Sequence, residues 1–123
     1  MTREFVTLPS FDVKWKGLGL DEDDKNRLEQ ELLENPKVGP VMKGTGGVRK
    51  MRFAFRDRGK SGSTRVIYVD FEVYEKIFFV DVYQKADKDN LTKAERNAMK
   101  DVVELIELGL EEEKQRREKH EPV

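Results

Sequence analysis

The chain has no cysteine, which excludes disulfides, thiolate metal sites and a cysteine nucleophile. It has one histidine, His120, set in a charged tail with nothing apolar around it, so we read it as solvated. That leaves no histidine pair for acid–base chemistry. No apolar run approaches membrane-spanning length; Ile77-Phe78-Phe79-Val80 is typical. Met1-Thr2-Arg3-Glu4 lacks the apolar core of a signal peptide, so we expect a cytoplasmic protein with no membrane contact. The phosphate-binding glycine motifs are also incomplete. Gly59-Lys60-Ser61 ends like a Walker A loop, but Ala54 stands where its first glycine belongs, and a strand-like run follows instead of a helix. Gly44-Thr45-Gly46-Gly47 fails the dinucleotide fingerprint because position 49 is Arg and a strand pattern follows.

Charge is abundant and unevenly placed. The 123 residues carry a net charge of −1. Between Lys43 and Arg65, however, eight basic residues (Lys43, Arg49, Lys50, Arg52, Arg56, Arg58, Lys60 and Arg65) face the single acid Asp57, a segment charge of +7. The rest of the chain therefore carries −8. Mixed charges suit a solvated tail, as over Glu111–Glu121. Eight like charges crowded onto adjacent strands repel, and such a patch suits a polyanion.

The length suits one domain spanning residues 1–123, with 111–123 a charged tail that frays or waits for a partner. Residues 4 to 8 suggest a strand. Ser10 is a candidate cap for a short helix carrying Phe11 and Trp15, ending near Gly17-Leu18-Gly19. Asp21 caps a second helix with Leu28, Leu32 and Leu33 on one side, stopped by Asn35-Pro36. Gly39-Pro40 turns the chain. Three strands follow, over Val48–Phe55, Arg65–Phe71 and Lys76–Lys85, the last two joined by a turn around Glu72 to Glu75. Thr92-x-x-Glu95 is a capping box opening a final helix with Ala98, Val102, Val103, Ile106 and Leu110 at helical spacing. This is an α+β pattern: N-terminal helices on an antiparallel twisted sheet, closed by a C-terminal helix.

Strict alternation places Met51, Phe53 and Phe55 inward and Lys50, Arg52 and Ala54 outward. On the third strand it puts Phe78, Val80 and Val82 in the core. Ile77, Phe79, Asp81, Tyr83 and Lys85 then lie opposite. Lys50, Arg52, Lys60, Arg65, Tyr83 and Lys85 can therefore line one concave surface, though the wet side of a one-sided sheet shows the same alternation. Against RNA, Arg and Lys would neutralise phosphate and Tyr would stack on a base. Without histidine, proton transfer falls to Lys, Arg or Tyr, with crowding among cations lowering a lysine pKa. The acids lie mostly in helical segments, where solvated faces explain them, so no metal or other cofactor is expected.

Four ordered fragments carry a resemblance: N-P-x-x-G, K-G-T-G-G-x-R-K-x-R, G-K-S-G-x-x-R-V-I-Y and V-Y-x-K-x-x-x-x-x-L-T, over residues 35 to 92. Together the sequence resembles the RelE superfamily of type II toxins, especially its HigB-like branch. The resemblance implies a toxin that enters the ribosomal A site and cuts mRNA by attack of the 2′-hydroxyl on the neighbouring phosphate, without metal. It implies that Lys50 and Arg52 are the family's paired basic residues. Arg65 would contact the scissile phosphate, and Tyr83 and Lys85 would orient the nucleotide and assist proton transfer. Lys43, Arg49, Arg56, Arg58 and Lys60 would be RNA contacts. An antitoxin partner, of helix-turn-helix type in that branch, is also implied. The same fold includes ParE-like gyrase inhibitors, and a basic RNA-binding module without catalysis is a third reading.

Overall fold

A computed structural model describes residues 2–54, 64–86 and 90–120 of the chain. Phe55, Arg56, Arg58, Lys60 and the side chain of His120 lie outside the described residues.

Strand β1, Glu4–Thr7, leads directly into helix α1, Pro9–Gly17. Pro9 opens the helix with its φ already fixed and no N–H to satisfy. The N-cap is therefore Leu8, and Ser10, expected as the cap, sits inside the first turn. Helix α2, Glu22–Glu34, starts on a reciprocal capping box: Asp21 Oδ1 accepts from the Asp24 N–H at 2.9 Å, and Asp24 Oδ2 accepts from the Asp21 N–H at 3.0 Å. Burial pushes the Asp24 carboxyl up. The Asp21 N–H and the Arg27 guanidinium outweigh it, and the net shift is below the usual carboxylate range. Leu28 and Leu32 are fully buried, while Leu33, a helical step off that line, is half-buried.

The sheet has the order β1-β4-β3-β2, with β2 over Arg49–Phe53, β3 over Thr64–Phe71 and β4 over Lys76–Gln84. The β2–β3 and β3–β4 pairs are antiparallel. A 3₁₀ turn at Glu72–Tyr74, closed by Glu75 in the left-handed conformation, joins the last pair. Strand β1 instead pairs parallel to β4, so the sheet is mixed rather than wholly antiparallel. Its direction is free of any hairpin, because Glu4 pairs with Lys76 far along the chain. Ion pairs hold it there: Arg3 Nε meets Asp70 Oδ1 at 2.8 Å, both side chains almost fully buried, and Lys76 meets Glu4.

Both faces of the sheet are covered. On one, a chain of rings (Phe5, Phe79, Phe11, Trp15, Phe53), stacked except for the tilted Trp15–Phe53 pair, runs at centroid spacings of 5.1 to 5.7 Å between α1 and the strands. Leu20, Leu28 and Leu32 join that core with Met51, Val66, Tyr68, Ile77 and Val82 of the strands. On the other face Val48, Ile67, Val69, Phe71 and Phe78 pack with Leu91, Val103 and Leu110, the last two from helix α3, Lys93–His120. The expected division of β4 therefore holds only in part. Ile77 and Phe79 share the first core with Val82, and Phe78 belongs to the second. A bulge explains this: Ile67 pairs with Asp81 but Tyr68 with Phe79, so Val80 is an extra residue and the alternation changes phase. The acid at the bulge is used locally, where Asp81 Oδ1 accepts from the Val82 N–H at 2.9 Å and from Lys14 Nζ at 2.7 Å.

Helix α3 begins at its expected capping box, with Thr92 and Glu95 exchanging side chain–backbone bonds of 3.0 and 3.1 Å. Val103 and Leu110 are buried, Val102 and Ile106 half-buried, and Ala98 exposed. The helix runs through the charged segment to His120. The Tyr74 hydroxyl donates to Glu111 Oε2 at 2.5 Å, tying the β3–β4 turn to it. That acceptor, with burial, pushes the phenol up to about 12. An unfolded tyrosine titrates near pH ~10. The raised value means that the bond stabilises the fold fully below that pH and is lost as pH rises through about 12. In alkaline titration followed by circular dichroism, the stability difference between wild type and Tyr74→Phe should therefore shrink steadily above the unfolded tyrosine pKa.

Candidate functional site

Strand register brings the basic residues together. Lys50 pairs with Ile67, Arg52 with Arg65, and Arg65 with Tyr83, so Arg52, Arg65 and Tyr83 form one row across β2, β3 and β4. Directly paired residues share a face. Ile67 and Tyr83 belong to the core beneath α3, so the row lies on that same face. Along it, the apolar pair Val48 and Ile67 gives way to Lys50, Arg52, Arg65 and Lys85. These four line one cleft of about 540 Å³, together with Val38, Pro40, Met51 and Asn90. No carboxylate is among its described lining residues. Lys50, Arg52 and Lys85 make no ion pair with any described residue. Arg65 is the buried member at 9% exposure, with Nη1 donating to the Thr64 carbonyl at 3.4 Å.

Two expected site residues are placed differently. Tyr83 does not emerge on the surface; it is 8% exposed, packed in the second core beside Arg65. Arg49 is committed to the fold: its Nη1 donates to the carbonyl of Gly39 at 2.7 Å and contacts that of Lys37 at 3.4 Å. Lys43 is exposed away from the cleft lining, and its carbonyl accepts from Arg96 at 3.3 Å. Arg56, Arg58 and Lys60 fall outside the described residues. Among the described residues no cluster of three or more His, Cys, Asp or Glu could hold a metal ion.

Sequence reasoning overlooked Val38, Pro40 and Asn90 as lining residues. The signal was present in the N-P-x-x-G fragment and in the residue before L-T, but neither carries charge. The segment from Pro36 to Pro40 is a built wall. The buried Tyr68 hydroxyl donates to the Pro36 carbonyl at 2.8 Å and accepts from the Gly39 N–H at 3.0 Å. The Lys50 N–H reaches the Pro40 carbonyl at 3.2 Å. Gly39 is required by close approach, since a Cβ there would lie 2.8 Å from the Lys50 carbonyl oxygen. The wall thus covers the outer edge of β2 and is fixed to the strand that carries Lys50 and Arg52.

The described residues form an α+β fold with a cation-lined cleft at the open end of a sheet face, an arrangement whose charge could hold an anion. The model of the family described as the RelE toxin of the RelE/RelB toxin–antitoxin system matches residues 39–120. The chain belongs to the RelE toxin family. A structure of the toxin RelE from E. coli, a double arginine-to-alanine mutant in the free state, matches with a TM-score of 0.51 at 17% identity over 72% of this chain and 90% of that one. At that identity the likeness speaks for the fold. Among the described residues no helix is long and apolar enough to cross a membrane.

Two outcomes follow from the geometry. Tyr68→Phe leaves the buried Gly39 N–H unsatisfied and should cost about 1–3 kcal/mol in urea unfolding. Arg52 and Arg65 are like charges in direct cross-strand register, a repulsion of roughly 0.2–1 kcal/mol. Arg52→Thr should therefore raise the low-salt melting temperature slightly, while reducing the stabilisation that added inorganic phosphate gives the wild type.

Proposed function

We propose that the protein is a ribosome-dependent endoribonuclease that cleaves mRNA in the A site by 2′-hydroxyl attack, without a metal. The observation that carries this reading is the convergence of Lys50, Arg52, Arg65 and Lys85 in one cleft with no acid among its described lining residues. In this reading the 2′-oxygen bonds to phosphorus and the bond from phosphorus to the 5′-oxygen breaks, leaving a cyclic phosphate and a 5′-hydroxyl. Two protons must move, one off the 2′-hydroxyl and one onto the leaving oxygen. Among the described residues no histidine or carboxylate lines the cleft, and this reading assigns the transfers to Lys50, Lys85 or Tyr83. Arg52 and Arg65 hold the charge that gathers on the phosphorane oxygens, where preorganised donors are most effective. Tyr83, packed against the row from within, supports Arg65 from its neighbouring strand. Lys43, Arg56, Arg58 and Lys60 are assigned to RNA backbone contacts, and Arg49 to holding the wall.

The ordered fragments that resemble the HigB-like branch support a partner antitoxin of helix-turn-helix type, and a site of action on cytoplasmic ribosomes. Induced expression should arrest growth, and purified protein should cut messages on programmed ribosomes with 5′ ends in register with codons. Arg65→Ala should lower the cleavage rate at least about 100-fold, the usual cost of losing an oxyanion donor. Circular dichroism must confirm that this variant folds, because Arg65 is buried. Whole messages with DNA-damage signalling would instead support a gyrase inhibitor. Salt-sensitive RNA binding without cutting or toxicity would support a binding module.

A further inference from the structure

Acid and exposed apolar side chains meet on a surface away from the cationic cleft. A groove of about 360 Å³ runs between the β3–β4 turn and helix α3, with Asp70, Glu72, Val73, Tyr74 and Glu107 among its lining residues. It shares no described lining residue with the cleft. Val73 on the turn is 79% exposed and Leu108 on α3 is 58% exposed, and neither belongs to a core. We propose that this groove docks a segment of a partner protein in which apolar side chains are flanked by lysine or arginine.

Charge complementarity decides the occupant. No Lys, Arg or His is among the described lining residues. Asp70 is already matched by the buried Arg3, and Glu72 meets Lys37 in an exposed pair at 3.1 Å, a weak and exchangeable contact. Glu104 and Glu107 form no ion pair with any described residue. Helical spacing makes Glu107 a neighbour of Glu104, and Glu104 a neighbour of Leu108. An arriving cation therefore meets two uncommitted carboxylates, and an apolar side chain meets Val73 and Leu108.

The acidic stretch is bounded. Lys100 packs beside Gly46, which lines the groove, and beyond Val73 and Tyr74 a second groove carries Lys76, Lys114 and Arg117. Between Lys100 and Glu111 lies about 16 Å of helix at ~1.5 Å per residue, room for one short segment. The Tyr74–Glu111 hydrogen bond ties the two walls together, so the groove is formed before a partner arrives. Nucleic acid and anionic membrane are repelled by the same acids. Two copies pairing through this surface would set Glu104 and Glu107 against their own kind. An occupant here leaves the cleft open, since Arg65 and Phe71 stand near opposite ends of β3, roughly 20 Å apart at ~3.3 Å per residue.

The test pans a random peptide library displayed on phage against the full chain, then measures enriched peptides as fluorescein conjugates by anisotropy. Enriched peptides should carry Leu, Val or Ile beside Lys or Arg. The double variants Glu104→Gln/Glu107→Gln and Val73→Thr/Leu108→Gln should each weaken them at least about tenfold, the size of a lost interface anchor. All four positions are exposed, so both variants should melt with the wild type. Excess short oligoribonucleotide should leave the peptides bound. Peptides that are acidic, that RNA displaces, or that bind both variants as tightly as the wild type overturn the proposal, as does a selection that enriches nothing. Dimerisation in sedimentation that Val73→Thr/Leu108→Gln abolishes would name a second copy as the occupant and overturn it equally. None of these readouts involves cleavage, so the groove and the nuclease reading stand or fall separately.

Discussion

One extra residue in β4 decides what each end of the central strands can do. Up to Phe79 the strand alternates with Ile77 and Phe79 against α1 and α2, and Phe78 toward α3. An uninterrupted strand would then send Val82 toward α3 and Tyr83 into the first core. The bulge at Val80 reverses that. Val82 rejoins the first core, and Tyr83 comes to lie beside Arg65 on the α3 face. A register slip of one residue moves every following side chain to the other face, so no smaller adjustment would achieve this. Asp81 keeps the irregularity affordable by accepting from the backbone N–H of Val82 and from Lys14.

The same face serves two purposes along its length. Beneath α3 it is apolar and closed by Val103 and Leu110; beyond the start of that helix, at Thr92, it becomes cationic and open. Helix α3 is placed by Leu91 and the Thr92–Glu95 box, so its first turn marks the border between core and cleft. The opposite border is the Pro36–Pro40 wall, which also covers the outer edge of β2. Tyr68 links the first core to the wall, for its ring packs in that core while its hydroxyl fixes the wall. The cleft is therefore a property of strand register and two anchored connections, whose backbone is held by structure outside the cleft.

Much of this was legible in the sequence. The N-cap at Asp21 and the capping box at Thr92 have short-range causes and lie where expected. The basic residues of β2 and β3 were assigned to one face because alternation on those strands is unbroken. Tyr83 and Lys85 were put on the same face from an alternation that fails at Phe78, since the reading contained one phase error before the bulge and none after it. The bulge itself has no strong local signature: Val80 and Asp81 fit an ordinary strand. The parallel pairing of β1 was also hidden, because it depends on a buried ion pair between residues 3 and 70 and not on any turn. The burial of Tyr83 was missed for a further reason. The sheet was read as wet on one side, whereas α3 covers that side, and β3, buried on both faces, reads as a near-continuous apolar run.

The cationic row is stable only because its surroundings are. Arg52 and Arg65 face each other across two strands, and Arg65 is nearly buried, an arrangement that folding alone would not favour. Two hydrophobic cores and a pinned wall hold it against that repulsion. Preorganisation of this sort leaves the cost of gathering like charges already met in the folded state. On the proposed reading, an arriving phosphate would relieve repulsion instead of having to assemble a site.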